Sequence, residues 1–412
     1  MNFEMFFSAL CSRQKGVGLD GLRAVLARLG SPQNHYKIIH VAGTNGKGSV
    51  CTLLAQALLQ SGHTTGLFVS PHVQCPTERI QLNGKPISKT AFVRIVQAVQ
   101  KAEREKLNFF ALLTAAALCY FAERKAEYVV LETGLGGRKD PTNVCNSVLS
   151  VITSVGLDHT AVLGESLAQI ASEKAGIIKP CVPVLCGQVP PPAAKIIRQI
   201  ARRQKAPLEF IKTPFEIAKT DWNRQCLYLK IPAYKRSWPL HLLGGAQALN
   251  AAVVYRAAEE LKIPKAALKK AFALVNIPVR FEIIRTPKNI FILDGAHNPQ
   301  AVENLIKRWQ KMPGYPQAVL VCGFMRDKDY PQMMRLLAPH FKHVICTQAP
   351  CNRSVSASEL KKYAPPMVQI MADYRGALKK AVGLAPCVVC TGSFYLAGAV
   401  RQELKKSRFY SH

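Results

Sequence analysis

The first chemistry in the chain is at Gly43–Ser49 (GTNGKGS), between the apolar run Lys37–Ala42 and a helical pattern over Ser49–Gln60. A Gly-rich turn from strand to helix gathers backbone N–H groups around a phosphate, and the helix N-terminus adds positive potential. Lys47 is long enough to reach β- and γ-phosphates, and Ser49 offers a hydroxyl to Mg2+ or phosphate. The spacing departs from the usual phosphate loop: the first glycine lies closer to Lys47, and Gly48 separates Lys47 from Ser49. The plain alternative is a turn with no ligand.

Other reactive groups follow strand-like runs. Glu132 closes Tyr128–Glu132 (YVVLE). Open α/β sheets bind ligands at the carboxyl ends of their strands, and a carboxylate there suits Mg2+; the alternative is a surface carboxylate. Asp158 and His159 (GLDH) follow Val148–Thr153, a matching strand end. Lys174 lies fifteen residues after His159 in EKAGII. An ammonium beside a metal is unfavourable, whereas a carbamylated lysine becomes a carboxylate-like ligand; an exposed helical lysine is the bland reading. Further on, Asp294–Pro299 (DGAHNP) follows an apolar run, and Asp294 and His297 can bond a ribose or phosphate, or merely cap a helix. Arg280 suits bidentate contact with a γ-phosphate. Thr391–Ser393 (TGS) opens the last helix or simply caps it.

The elements that must position these groups alternate between strand and helix, which argues for a parallel sheet with helices on both faces. Expected strands include Lys37–Ala42, Thr65–Val69, Tyr128–Glu132, Val148–Thr153 and Pro180–Leu185. Phe215–His241 reads as an antiparallel excursion. After Asn276–Glu282 the alternation restarts with Ile290–Asp294, Ala318–Gly323, His343–Cys346, Met367–Ile370 and Pro386–Cys390. The fold class is therefore α/β. The expected domains are 1–278, a P-loop-type parallel-sheet domain, and 279–412, a smaller Rossmann-like domain, with sites in the cleft between them.

Composition sets the outer limits. The chain has 412 residues, 49% of them hydrophobic and 19% charged, which excludes a disordered polymer. Lys and Arg number 55 against 25 Asp and Glu, a formal charge of +30. That charge fits a polyanionic small substrate as well as a nucleic acid. The densest basic stretch, Lys195–Lys205, reads as a solvated helix face. Thirteen scattered cysteines read as reduced thiols, and Cys387–Cys390, inside an apolar run, as part of a buried strand. Met1–Lys15 has no basic leader pattern, and Phe109–Ala122 is too short to span a bilayer. A cytoplasmic protein is expected.

Eight collinear blocks resemble the folylpolyglutamate synthase/dihydrofolate synthase family of the Mur ligase superfamily. They are HVAGTNGKGSV (His40–Val50), SPH (Ser70–His72) with ERI (Glu78–Ile80), LETGLGGRKDPTN (Leu131–Asn143), SVGLDHT (Ser154–Thr160), LG at Leu163–Gly164, SEKAGI (Ser172–Ile177), DGAHNP, and TGSFYL (Thr391–Leu396). The resemblance implies a Mur ligase-type central domain, a C-terminal glutamate ligase domain and an ATP-dependent amide ligase. By motif, Thr44, Asn45, Gly46, Lys47, Gly48 and Ser49 would hold the phosphates of ATP. Ser70, Glu132 and His159 would bind Mg2+, and Lys174 would be carbamylated. Asn250, Arg280 and Asp294 would contact ATP. Phe110, Thr114, Lys139, Asp140 and Pro141 would line the pterin-bearing substrate. Lys47, Lys174, His159 and Arg280 would carry catalysis.

The implied partners are dihydropteroate or a folate, L-glutamate and ATP, with no nucleic acid, no membrane and a monomeric state. The family usually has Glu where Ala111 stands, His at Ala246, Gly at Val279 and Ala at Pro141. These departures fall where acceptor choice and domain closure are set. The rival readings are a ligase for a peptidoglycan precursor and a basic nucleic-acid-binding protein with a degenerate nucleotide fold.

Overall fold

The computed structural model describes residues 2–232, 234–313, 317–363 and 368–406. Met1, the Met367 that opens an expected strand, and residues 407–412 of the expected second domain lie outside them. The chain divides into two compact units. One is Met1–Glu216 with Lys230–Trp238 and Ala246–Val275; the other is Ile217–Leu229, Pro239–Gly245 and Asn276–His412.

The first unit is built on an eight-stranded sheet. Its strands are β1 (Lys37–Ala42), β2 (Thr65–Phe68), β3 (Ile80–Leu82), β4 (Lys85–Pro86), β5 (Tyr128–Glu132), β6 (Leu149–Ile152), β7 (Val184–Cys186) and β8 (Leu208–Phe210). Their order is β4-β3-β2-β5-β1-β6-β7-β8. The six strands from β2 to β8 pair in parallel, and β3 and β4 add an antiparallel edge. β1 and β5 carry β-branched residues on both faces because both faces are covered. Val41 is in register with Glu132, and Ala42 with Ile152, so the loops after three adjacent strands leave the sheet side by side.

Helices complete the core. Phe109–Glu123 is capped by Asn108, whose carboxamide oxygen accepts the Ala111 N–H at 2.9 Å. It is apolar almost all round because it is buried almost all round. Leu118 and Phe121 are fully buried, each contributing about 1.5–3 kcal/mol. Helix Pro191–Arg203 buries Ala193, Ala194, Ile197 and Ala201 and exposes Lys195, Arg198, Arg202 and Arg203. Two N-terminal helices, Phe3–Cys11 and Leu19–Arg28, pack Phe6, Leu10, Leu22, Val25 and Leu26 into one core with Leu118 and Phe121. The expected strand Pro180–Leu185 is shorter and later: Cys181 takes φ +59°, and pairing begins only at Val184.

A three-stranded sheet follows, β9 (Glu216–Asp221), β10 (Cys226–Lys230) and β11 (Trp238–Leu240), in the order β11-β10-β9. The second unit's main sheet comprises β12 (Arg280–Arg285), β13 (Ile290–Asp294), β14 (Ala318–Cys322), β15 (His343–Thr347), β16 (Val368–Met371) and β17 (Cys387–Thr391). Its order is β12-β13-β17-β14-β15-β16, all parallel except β12. No disulfide joins the cysteines of the described residues, and Cys390 is buried within β17. No described helix is long and apolar enough to cross a membrane.

Candidate active site

The Gly-rich loop is held by the loop after β6. The Thr44 N–H donates to the Ser154 carbonyl at 2.9 Å, and the Asn45 N–H to Ser154 Oγ at 2.9 Å. Thr153 Oγ1 and Ser154 Oγ donate to the Asn45 carbonyl at 2.6 and 2.9 Å. The Gly156 N–H donates to Thr44 Oγ1 at 3.0 Å. Thr44 and Ser49 are buried. Sequence reasoning gave Thr153, Ser154 and Gly156 no part here; hydroxyl residues just past a strand end were the available signal.

Gly46 ends the loop at φ +87° and caps helix Lys47–Gln60. A Cβ there would sit 2.7 Å from Asn250 Oδ1, so Asn250, from helix Gly245–Glu260, lies directly against the loop. Gly48 follows Lys47 inside the helix, whose first-turn N–H groups have no intrahelical acceptor. The Lys47 ammonium folds back, donating to the Gly43 and Thr44 carbonyls at 3.0 and 3.3 Å. The loop is thus held in shape by contacts within the protein.

At the neighbouring strand end, the Glu132 carboxylate is 3% exposed and accepts the Ser70 N–H at 2.9 Å. His159 starts the short helix Thr160–Leu163 at φ +51°; its N–H donates to Asp158 Oδ1, and its Nε2 lies 3.8 Å from that oxygen. Lys174 ends helix Leu167–Lys174 and is 3% exposed, so it is not the surface lysine of the bland reading. Among the described residues no three His, Cys, Asp or Glu side chains gather around one point. A single buried carboxylate beside a serine fits Mg2+, a hard cation that keeps waters and shares its ligands with substrate phosphates.

The acceptor candidates divide. Phe110 is half-buried, its ring centroid 5.6 Å from that of Phe68. Thr114 lies one turn below it, fully buried, with its hydroxyl donating to the Phe110 carbonyl at 2.9 Å. Lys139 is exposed and Pro141 half-buried. The Asp140 carboxylate is occupied internally: it accepts the Leu135 N–H at 2.8 Å, the Thr142 N–H at 3.0 Å and the Thr142 hydroxyl at 2.5 Å. Burial raises the Asp140 carboxyl above its ordinary range, and these bonds oppose the rise. His40 Nε2 lies 2.7 Å from Thr142 Oγ1. That hydroxyl already donates to Asp140, so His40 must donate from Nε2. Burial, with the nearby Lys179 charge, pulls the His40 pKa down to about 3.

In the second unit Arg280 opens β12, opposite Asp294 at the end of β13. The Arg280 guanidinium lies 4.6 Å from the Phe394 ring centroid. Val279 and Phe281, on either side, take φ +53° and +56°, where side-chain-bearing residues are uncommon. Glu282 holds the strained turn: Oε2 accepts the Val279 N–H at 3.0 Å, and Arg401 Nε donates to both carboxylate oxygens at 2.9 and 2.8 Å.

Asp294 is 4% exposed. Its Oδ1 accepts the Ala296 N–H at 2.9 Å. Its Oδ2 lies 3.5 Å from Arg308 Nη1 and has no hydrogen-bond donor among the described residues. Burial raises the Asp294 carboxyl, opposed by the charges of Arg308 and Arg280. No sequence motif pointed to Arg308. The His297 ring Nδ1 lies 2.8 Å from the Gly295 carbonyl, and Ser393 Oγ accepts the Leu396 N–H, a helix-capping role.

Residues 41–258 match the Mur ligase middle domain, and residues 279–394 match the Mur ligase, glutamate ligase domain. The dihydrofolate synthase/folylpolyglutamate synthase of Bacillus subtilis is 32% identical, over 94% of this chain and 95% of that protein. The Escherichia coli protein of the same name is 29% identical, over 98% and 95%. Mycobacterium tuberculosis folylpolyglutamate synthase complexed with ADP superposes with a TM-score of 0.90 at 28% identity, covering 97% of this chain and 98% of that one. Escherichia coli FolC in complex with DHPP and ADP gives 0.89 at 28% identity, covering 99% of each. On the strength of these matches and of its two parallel-sheet units, the chain belongs to the folylpolyglutamate synthase/dihydrofolate synthase family of Mur ligases.

Proposed function

We infer that the chain is an ATP-dependent ligase that joins L-glutamate to dihydropteroate, to tetrahydrofolates, or to both. A carboxylate is a poor electrophile, so transfer of the γ-phosphoryl group makes it an acyl phosphate, and the glutamate amine displaces phosphate from that carbonyl. The observation that carries this reading is the pre-shaped Gly43–Ser49 loop, with Asn250 against it and buried Glu132 at the adjoining strand end. Solved relatives complexed with ADP and with AMPPCP support a bound nucleotide.

The residues divide the work. The first-turn N–H groups of helix Lys47–Gln60, with Thr44, Asn45 and Gly46 before them, receive the phosphates. Lys47 exchanges its two carbonyl acceptors for phosphate oxygens, which carry more charge and bind an ammonium more strongly. Glu132, Ser70 and His159 are the proposed holders of Mg2+, which when bound neutralises charge on the transferring group. Lys174, buried at the end of its helix, is the proposed carbamate: its neutral amine adds CO2, loses a proton and becomes an anion. Arg280, backed by the Phe394 ring, and Asp294, with an acceptor oxygen to spare, are the groups the second unit offers the nucleotide. Phe110, Lys139 and Pro141 are the surfaces for the acceptor, and Thr114 and Asp140 support them from beneath. The enzyme works as a monomer in this reading.

The test is ADP release with L-glutamate and each of three acceptors: dihydropteroate, tetrahydrofolate and a UDP-muramyl precursor. Turnover with either of the first two is expected. Turnover with the third alone would overturn the folate assignment.

A further inference from the structure

The loop after Glu132 and the helix that ends in Lys174 are clamped together, and one side chain closes the clamp. The Arg138 N–H donates to the Glu173 carbonyl at 2.7 Å. Arg138 Nη2 reaches the Ser172 carbonyl and hydroxyl at 3.1 and 3.0 Å. The backbones meet at glycines: a Cβ on Gly137 would sit 2.8 Å from the Glu173 and Lys174 carbonyl oxygens, and one on Gly176 would sit 2.5 Å from Arg138 Cα.

Asn143 spans this seam. Its Nδ2 donates to the Arg138 carbonyl at 3.0 Å and to the Gly176 carbonyl at 3.1 Å. Its Oδ1 accepts from the Lys179 ammonium at 2.8 Å. An ammonium only donates and carbonyls only accept, so the orientation of the carboxamide is fixed by its neighbours. Asn143 is 8% exposed, and all three of these bonds are partly buried.

We propose that Asn143 is a positioning residue of the ligase: its carboxamide fixes the turn after Lys174 against the loop after Glu132, setting Lys174 relative to the reacting groups. This rests on the reading of Lys174 and Glu132 as active-site residues. Asn143 touches none of the reacting groups itself; it acts through the backbone of Gly176, two residues past Lys174. Misplacing a reacting group by about 1 Å costs on the order of a hundredfold in rate.

Asn143→Asp separates the two halves of the clamp. It keeps an acceptor for Lys179 but loses both N–H donors. The expected result is a fall in kcat of about 10- to 100-fold. KM for ATP and the calorimetric affinity for AMPPCP should stay within about twofold, because the Gly43–Ser49 loop is held by other residues. Lys179→Met is the companion: it leaves both Asn143 donor bonds in place, so kcat should stay within about threefold even if the melting temperature drops. Should Asn143→Asp fail to fold, Asn143→Ser, neutral and too short to reach both carbonyls, is read in the same way. Wild-type kcat in the Asn143 variant would overturn the proposal. So would an equal loss of kcat in Lys179→Met, since stability alone would then account for both. A wild-type enzyme with no ATP-dependent ligation of any acceptor would instead overturn the functional reading beneath it.

Discussion

Gly46→Ala tests the phosphate loop where it meets Asn250. Gly46 sits at φ +87°, where an L-residue costs roughly 1–2 kcal/mol. The new Cβ would also lie 2.7 Å from Asn250 Oδ1. Asn250 cannot yield freely: it is 8% exposed, and its Nδ2 donates to Gln247 Oε1 at 3.0 Å. The combined penalty is on the order of 2 kcal/mol. If the loop relaxes to escape it, the cost appears in ligand binding as a rise of about thirtyfold in Kd. If the loop stays as it is, the cost appears as lower stability.

Calorimetric titration with AMPPCP and denaturant unfolding, run together, read the two possibilities. Adding Asn250→Ala removes the collision and leaves only the backbone part, so the double-mutant cycle should show a coupling of about 0.5–1 kcal/mol. A Gly46→Ala enzyme with wild-type affinity and wild-type unfolding midpoint would refute the description of this loop. A strictly additive cycle would refute the steric role given to Asn250.

Asp294→Asn leaves Arg308 buried without its counter-charge and should destabilise the protein by about 3–5 kcal/mol, while Asp294→Asn with Arg308→Met should recover most of that loss in urea unfolding. Without recovery, the pair does not act as a buried ion pair. His40 has a folded-state pKa of about 3 against an ordinary 6.5, so the unfolded chain takes up the proton first. Its contribution is complete above roughly pH 6.5 and is lost at about 1.4 kcal/mol per pH unit as pH falls toward 3. His40→Asn should flatten the pH dependence of the urea midpoint in that window, and an unchanged slope would remove the buried neutral imidazole. Lys174→Ala should abolish ligation, with partial recovery on adding a short carboxylic acid. Recovery by neutral amides as well would remove the carboxylate-like role.

The parallel strands were legible because buried strands are written as short β-branched runs. Lys37–Ala42, Tyr128–Glu132 and Ile290–Asp294 have the bounds the sequence suggests. β12 was not legible. It is an antiparallel edge strand with a register irregularity, and it follows Pro278 in a stretch that reads as a boundary. The N-terminal helices were also missed, since a pair of short amphipathic segments carries little periodic signal.

Within the site, residue types at strand ends pointed to Lys47, Glu132 and His159, and Lys174 was read at the end of a helix. What residue type does not reveal is which polar side chain turns inward. Asp140 and Thr114 read as ligand contacts, yet their polar atoms meet the protein's own backbone and side chains. Val279 stands where the resemblance leads one to expect glycine, and it takes a glycine-like φ in a turn held by Glu282 and Arg401.

The bonds from Thr44 and Asn45 to Ser154 and Gly156 join segments 109 to 112 residues apart in the chain. Contacts so distant in sequence form late, since closing the intervening chain must come first. A nascent chain ending before β6 therefore has the Gly-rich segment but not the shape that receives phosphate. Under the proposed function, recognition of nucleotide is a property of the assembled sheet and not of the Gly-rich segment alone.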